Sequence, residues 1–503
     1  MKNENIVSLE HFIEAARDSG YTNIATALAE LIDNAFEAEA TSVRIDFGRT
    51  STGEIEVSIV DDGRGMKPTI LELALQFGGT TRFNSRAGAG RFGMGLPNSS
   101  LSQARRVEVV SWTSTRSGWT SYLDVDEVSA GKLRSIPKPW RTTTSFCTTP
   151  SGTSVTWKKC DRIIFKNERI FLAKIRKSLG RLFRKKIWAG KRIFVGDEKV
   201  VPVDPLFLQT DDSQYGTPFG SEIKYEIDVP GSPNRTSTVN VRFVELPLEK
   251  LHSLSNEQKQ SRGISKGAGV SVVRADREID YGWFFMGRKR KENYDDWWRC
   301  EICFEPVLDE MFGVTNTKQG IRPQETLKSI LSADIEQIAH SLNSRVRTRY
   351  AAVRVQADRT VGERIASRRD HLLEPPDKRF RTTESLTAYG LPGGYNGSST
   401  KLELIRGMSY RFETKRISDE SFFVPVLADR EIVVLVNENH PFYECIYSPF
   451  VRLSNQDSKL FQHLELTLLA AARAECTLSP TDKQSVIRTM REEWSKVLAT
   501  FLE

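Results

Sequence analysis

No apolar run in the 503 residues approaches the roughly 18 needed to cross a bilayer, so the chain does not read as membrane-spanning. Its opening stretch, MKNENIVSLEHFIEAARDSG, is polar and mixed in charge, without the apolar core of a secretory signal. Cysteine is scarce: six residues at uneven spacings make no disulfide framework. Internal repeats and long low-complexity tracts are missing too. Neither sign of charge dominates, since 72 Lys+Arg against 65 Asp+Glu leave a net +7, which suits an acidic partner without requiring one. A charged fraction of 27% beside 39% hydrophobic residues excludes wholesale disorder. These absences leave a reduced, cytosolic chain of about three domains.

What is present divides that chain. Residues 1–160 read as an α/β unit, with helical patterns at 8–19 and 24–38 and strand patterns at 42–48, 54–61, 105–113, 119–125 and 152–158. A glycine-rich loop lies at 78–95. A basic helical connector is expected over 161–200, a second α/β domain over 201–330 and a long arginine-rich helix over 331–372. Pro375, Pro376, Gly390, Pro392, Gly393, Gly394 and Gly397 give 373–400 the composition of a linker. A small α/β and helical unit, suited to assembly, closes the chain over 401–503.

Three features carry chemistry. On a helix over Ala25–Ala38, Glu30, Asp33, Asn34 and Glu37 fall at i, i+3, i+4 and i+7, one polar stripe on an otherwise apolar element. Carboxylates on a mostly buried stripe repel one another, and a bound cation, water or ligand would relieve them. Such a stripe, taken alone, is equally a solvated face. Next, the strand ending at Val60 runs into Asp61-Asp62-Gly63-Arg64-Gly65-Met66, a carboxylate followed by a turn whose glycines let backbone approach a ligand. A carboxylate there can accept from an exocyclic amine, although most such turns are only turns. Third, Gly90-Arg91-Phe92-Gly93-Met94-Gly95-Leu96 leads into a helix start at Pro97, where free amide groups suit a polyphosphate. It is neither a Walker motif nor a dinucleotide fingerprint.

In this order, and with Ser151-Gly152-Thr153 following, the three resemble the nucleotide boxes of the GHKL ATPases: gyrase B, heat-shock chaperone, histidine kinase and MutL. The wording ALAELIDNA is most similar to the MORC-like ATPases and their bacterial relatives. The resemblance implies an α/β (α+β) Bergerat-type sandwich in which ATP lies between sheet and helices under a mobile lid at 78–98. It implies Glu30 as the general base that activates water and Asn34 as the Mg²⁺ ligand. Asp61 would accept from the adenine amine, with Thr153 in support. Gly63, Gly65, Met66, Gly90, Arg91, Phe92, Gly93, Met94, Gly95 and Leu96 would complete the nucleotide site. Histidine kinases usually lack the basic glutamate, so Glu30 argues for hydrolysis.

The polar loop Thr315-Asn316-Thr317-Lys318-Gln319 reads by itself as solvated. After a GHKL domain it resembles the lysine loop of a transducer domain, which implies that Lys318 reaches the γ-phosphate and joins the catalytic set. The strand Gly269–Arg274 before Asp276-Arg277-Glu278 fits the same pattern.

Other signals are weaker. Residues 158–192 hold fourteen Lys/Arg against Asp161 and Glu168, a net +12 that is either an electrostatic footprint for DNA or a solvated helix. Cys300-x-x-Cys303 has no second pair at zinc spacing and falls on a strand, which turns the thiols to opposite faces. His340 follows the ATPase domain, whereas a kinase's acceptor helix precedes it, and reads as a surface histidine. Asn437 to Tyr443 ends an apolar strand and is expected to be structural.

The expected protein is therefore a Mg²⁺-dependent ATP hydrolase, a homodimeric clamp closed by docking of its ATP-bound N-terminal domains. Its target would be DNA or a partner effector protein, in repair, chromosome or anti-phage defence. A nucleotide-dependent scaffold with incidental hydrolysis is the rival.

Overall fold

The computed structural model describes residues 8–502 except 22, 80–92, 115–116, 144–148, 166, 210–215, 233, 316–317, 319, 358, 375–406, 419, 429–430, 454–458 and 478–481. The chain forms two compact units, residues 1–347 and 348–503. It is a mixed α/β protein throughout.

The first unit holds two sheets. Helices α1 (Leu9–Asp18) and α2 (Ile24–Glu37) precede β1 (Ser42–Arg49) and β2 (Ile55–Asp61). Then come α3 (Pro68–Leu75), α4 (Gly95–Leu101), β3 (Arg106–Trp112), β4 (Gly118–Asp124), α5 (Val125–Ser129), β5 (Trp140–Thr142) and β6 (Gly152–Lys158). After α6 (Glu168–Leu182) and α7 (Arg184–Trp188), β7 (Arg192–Val195) and β8 (Glu198–Lys199) return to the same sheet, whose order is β5-β4-β3-β6-β2-β1-β7-β8. Along β2, Ile55, Val57 and Ile59 are buried and alternate with half-exposed Glu56, Ser58 and Val60. The buried side packs with Leu28, Leu31 and Ile32 of α2 and Ile175 and Leu179 of α6 in one core. That layering of helices on one sheet is the Bergerat-type sandwich that the resemblance implied.

The connector expected at 161–200 is instead part of this sandwich. Phe171, Ile175 and Leu179 recur every fourth residue of α6 and join the core with fully buried Phe183, while β7 pairs in parallel with β1. The apolar stripe of α6 is hidden in sequence by the density of charge around it. A domain boundary at 160 would cut through the sheet.

The second sheet, ordered β12-β11-β13-β10-β9, comprises β9 (Thr217–Asp228), β10 (Thr236–Glu245), β11 (Val270–Arg274), β12 (Arg277–Gly282) and β13 (Trp298–Phe304). Short helices α8 (Leu248–Leu251), α9 (Asn256–Ser261) and α10 (Asp309–Phe312) punctuate it. Helix α11 (Glu325–Ala357) covers it with Leu327, Leu331, Ile335, Ala339 and Leu342, none of them accessible. The start of the long helix therefore belongs to the second domain's core. A break separates it from α12 (Val361–Arg369), which Thr360 and Glu363 cap reciprocally.

The second unit contains α12, β14 (Ser409–Lys415), β15 (Phe423–Ala428), β16 (Glu431–Asn437), α13 (Ser448–Leu453), α14 (Lys459–Thr477) and α15 (Asp482–Leu502). Its sheet runs β14-β16-β15. The Asn437 amide bonds the Ser421 carbonyl and the Ile417 N–H, and the His440 Nε2 meets the Ser495 carbonyl. These polar groups are committed to the fold. Most of the linker expected at 373–400 lies outside the described residues.

Candidate functional site

The site grows from α2. Asn23 caps the helix through a 2.8 Å bond from the Ala25 N–H, and an apolar majority sinks it into the core. Burial then falls on the stripe as well: Glu30 and Asp33 are only 3% and 8% exposed. Asn34 and Glu37 are half-buried and line a cavity of about 300 Å³. The walls of that cavity also include Asp61, Gly65, Met66, Gly93, Gly95, Leu96 and Thr153. Residues from four stretches of sequence thus converge on one concavity.

Sheet register brings Asp61 beside Thr153, directly opposite it across β2 and β6. Burial pushes the Asp61 carboxyl up to about 6, even though the main-chain N–H groups of Gly63 and Thr153 favour its ionised form. The Gly63 N–H lies 2.8 Å from Asp61 Oδ1. Asp62 does different work. Slight burial opposes its charge, but bonds from Thr41 and Ser42 outweigh it and hold this carboxyl below its ordinary value. Gly63 stands behind Asp61 and Met94 caps α4; neither is in the cavity wall.

The glycines have steric reasons. Gly65 has φ +68°, and a Cβ there would lie 2.1 Å from the Trp112 carbonyl oxygen. A Cβ on Gly95 would lie 2.4 Å from Glu30 Oε1, so a side chain there would displace that carboxylate from its place. Gly78 and Gly93 are tied by a 3.0 Å main-chain bond. Between them, Gly90, Arg91 and Phe92, with most of the expected lid, lie outside the described residues.

From the loop between α10 and α11 comes Lys318, 8% exposed, its Nζ 3.0 and 3.1 Å from the two oxygens of Glu30. Its backbone is left-handed, φ +50°, and its N–H donates to the Thr315 carbonyl at 2.8 Å. A bulky residue held in that region marks a constrained position. Gln319 lies outside the described residues.

Three participants were not legible as such in the sequence. Arg277, buried at the start of β12, pairs with Asp33 and lies 3.7 Å from Glu30 Oε2. A two-residue turn, Ala275-Asp276, with both φ positive, aims it there. Tyr21 is buried beside Glu30; burial first and that carboxylate second raise its phenol above the ordinary value. Ser111 accepts from the Met66 N–H at 2.7 Å, donates to the Gly152 carbonyl at 3.1 Å and meets Thr153 Oγ1 at 3.0 Å. Only Arg277 left a trace, within the Asp276-Arg277-Glu278 that follows the strand pattern Gly269–Arg274.

Part of the basic segment is spent in ion pairs within the molecule, although only Arg184 of its described cations is buried. Arg184, 1% exposed, bonds Glu278 at 2.8 Å and Glu301 at 2.5 Å, and Lys185 lies 3.2 Å from Glu301. Arg181 pairs with Glu278 at 2.6 Å, Arg176 with Glu198 at 3.1 Å and Lys158 with Glu108 at 3.1 Å. Within the segment 158–192, expected as a DNA footprint or a solvated helix, Arg184 and Lys185 are therefore neither: their charges join α7 to the second sheet. Cys300 is buried and Cys303 half-buried, both are free thiols, and no group of three metal-binding side chains occurs among the described residues. His340 stands exposed on α11, 3.8 Å from Glu336. No helix among the described residues is long and apolar enough to cross a membrane.

Residues 21–153 match the family model described as histidine kinase-, DNA gyrase B- and HSP90-like ATPase. Over 58 residues, 12% of this chain, the sequence is 43% identical to the DNA mismatch repair protein MutL of Rhodospirillum rubrum. The match spans 9% of that relative's length.

Proposed function

We propose, from the match of residues 21–153 to the model described as histidine kinase-, DNA gyrase B- and HSP90-like ATPase, that this protein binds ATP in the cavity beside α2 and hydrolyses it through Glu30. The observation that carries the reading is the buried contact of Lys318 with both oxygens of Glu30. A lysine and a glutamate this dry are costly unless they serve each other or a ligand.

Asp61 receives the adenine amine, with Thr153 and the Met66 backbone oriented by Ser111. Gly65 and Gly95 keep the walls free of side chains where the nucleotide must lie close. Glu30 takes the proton of the attacking water, which requires a carboxylate released from its lysine. The γ-phosphate supplies the competing anion: Lys318, a point charge on a flexible stem, exchanges carboxylate for phosphate. Before nucleotide binds, Lys318 thus silences the base; afterwards it stabilises transferring charge. Asn34 is a hard oxygen donor on the cavity wall, which suits an ion held mainly by phosphates and water. Asn34 would hold Mg²⁺, whose charge would neutralise the phosphates. Docking of two ATP-bound copies, and so a clamp on DNA or on a protein partner, extends this reading.

Thin-layer chromatography of labelled ATP tests it. Free phosphate from wild type, with turnover lowered roughly 10²–10⁴-fold in Glu30→Gln while nucleotide still binds, is expected. Label retained on the protein, or an unchanged Glu30→Gln rate, would replace hydrolysis with phosphotransfer or remove Glu30 from the chemistry.

A further inference from the structure

Two cations, Arg277 at the start of β12 and Lys318 in the loop between α10 and α11, face the acidic stripe of α2, and they are not equivalent. Among the described residues, Lys318 pairs with Glu30 alone. Arg277 is closest to Asp33 and keeps 3.7 Å from Glu30 Oε2 with the same Nη1 atom. Its guanidinium is 4% exposed, backed by the Phe183 ring at 5.7 Å, and its Nε has no hydrogen-bond partner among the described residues. A planar cation so placed has two carboxylates within reach, one helical turn apart on α2.

We infer that Asp33 is a positioning residue: by taking the charge of Arg277, it keeps that arginine off Glu30 and leaves the base free once Lys318 withdraws. The inference rests on the hydrolytic role of Glu30 proposed above. Without Asp33, the departure of Lys318 would only hand Glu30 to a second and stronger cation, since a guanidinium offers a forked donor that a carboxylate accepts with two oxygens. Arg277 cannot leave as Lys318 can. It is anchored on a two-residue turn, and its neighbour Glu278 is bound to Arg181 and Arg184. The division of labour is therefore one fixed cation with its own counterion beside one mobile cation that shares the base.

The prediction is a rescue rather than a loss. Asp33→Asn preserves shape and removes the counterion, so kcat should fall roughly tenfold or more with KM for ATP little changed. Adding Arg277→Gln removes the freed cation, and Asp33→Asn/Arg277→Gln should recover most of the lost kcat. Arg277→Gln alone should lower the unfolding midpoint, because Asp33 is left buried without its partner. Because deleting both partners of a buried pair can also restore folding, kcat is taken per folded, nucleotide-binding site, and recovery on that scale is what a role in folding alone does not give. A double variant as slow as Asp33→Asn, or an Asp33→Asn rate equal to wild type, would overturn the inference. Should Asp33→Asn fail to fold while the double variant folds, Arg277 is again the group that Asp33 neutralises; failure of both to fold overturns it. Wild type and Glu30→Gln, measured alongside, report on the hydrolytic reading itself, so the two failures are told apart.

Discussion

Asp61 shows how one side chain carries a cost before it does any work. Burial raises its carboxyl from 3.8 to about 6, so the folded protein holds this proton more tightly than the unfolded chain. Stability from this group is full below pH 3.8 and is lost as pH rises through about 6. Above that, without nucleotide, the buried charge carries a penalty of roughly 3 kcal/mol, since each tenfold gain in proton affinity is worth about 1.4 kcal/mol. Asp61→Asn should accordingly melt higher than wild type at pH 7.5 without nucleotide, and the gap should close towards pH 4 in thermal scans. The same titration predicts that ATP affinity of the wild type, by calorimetry, weakens as pH falls below about 6, where the acceptor of the adenine amine takes up its proton.

Elements depend on contacts that charge counting misreads. Arg184 begins α7, yet its guanidinium lies among Glu278, Glu301 and the Ser271 hydroxyl. Three strands of the second sheet are thereby fastened to the end of the nucleotide domain. Arg184→Ala leaves two buried carboxylates short of a partner and should cost about 3–5 kcal/mol in urea unfolding. Reversing Arg184, Lys185 and Lys186 together should break this joint, with loss of the cooperative transition, and so cannot isolate an effect on DNA. Gly65 offers a smaller test on the turn after β2. Gly65→Ala drives a methyl into the Trp112 carbonyl at a left-handed position, and should abolish nucleotide binding and cost about 2–4 kcal/mol.

For the whole molecule, the consequence is that the nucleotide domain cannot be cut where its motifs end. A chain ending at 160 lacks α6, β7 and β8 and exposes Val43, Leu28 and Phe36; it should fail to fold by circular dichroism. One ending near 204 keeps the Val203 N–H bond to the Gly180 carbonyl and should fold, but lacks Lys318. In the full chain Lys318→Ala should bring ATP turnover to the level of that shorter chain. Turnover equal to wild type would show that the lysine neither silences Glu30 nor assists phosphate transfer.

The stripe of α2, the acidic turn and the glycines were legible because each is local: periodicity, a strand end and a turn are set by residues within a few positions of one another. The sandwich was legible only through the resemblance these motifs carry. Lys318 was legible only by resemblance, since nothing near it tells a solvated loop from a ligand to a buried glutamate 288 residues away. Arg277 at Asp33, Ser111 under Met66 and the folding of the basic segment into ion pairs were decided by tertiary structure. Charge has no period, and whether a cation meets solvent, phosphate or a buried carboxylate depends on which distant strand lies opposite it.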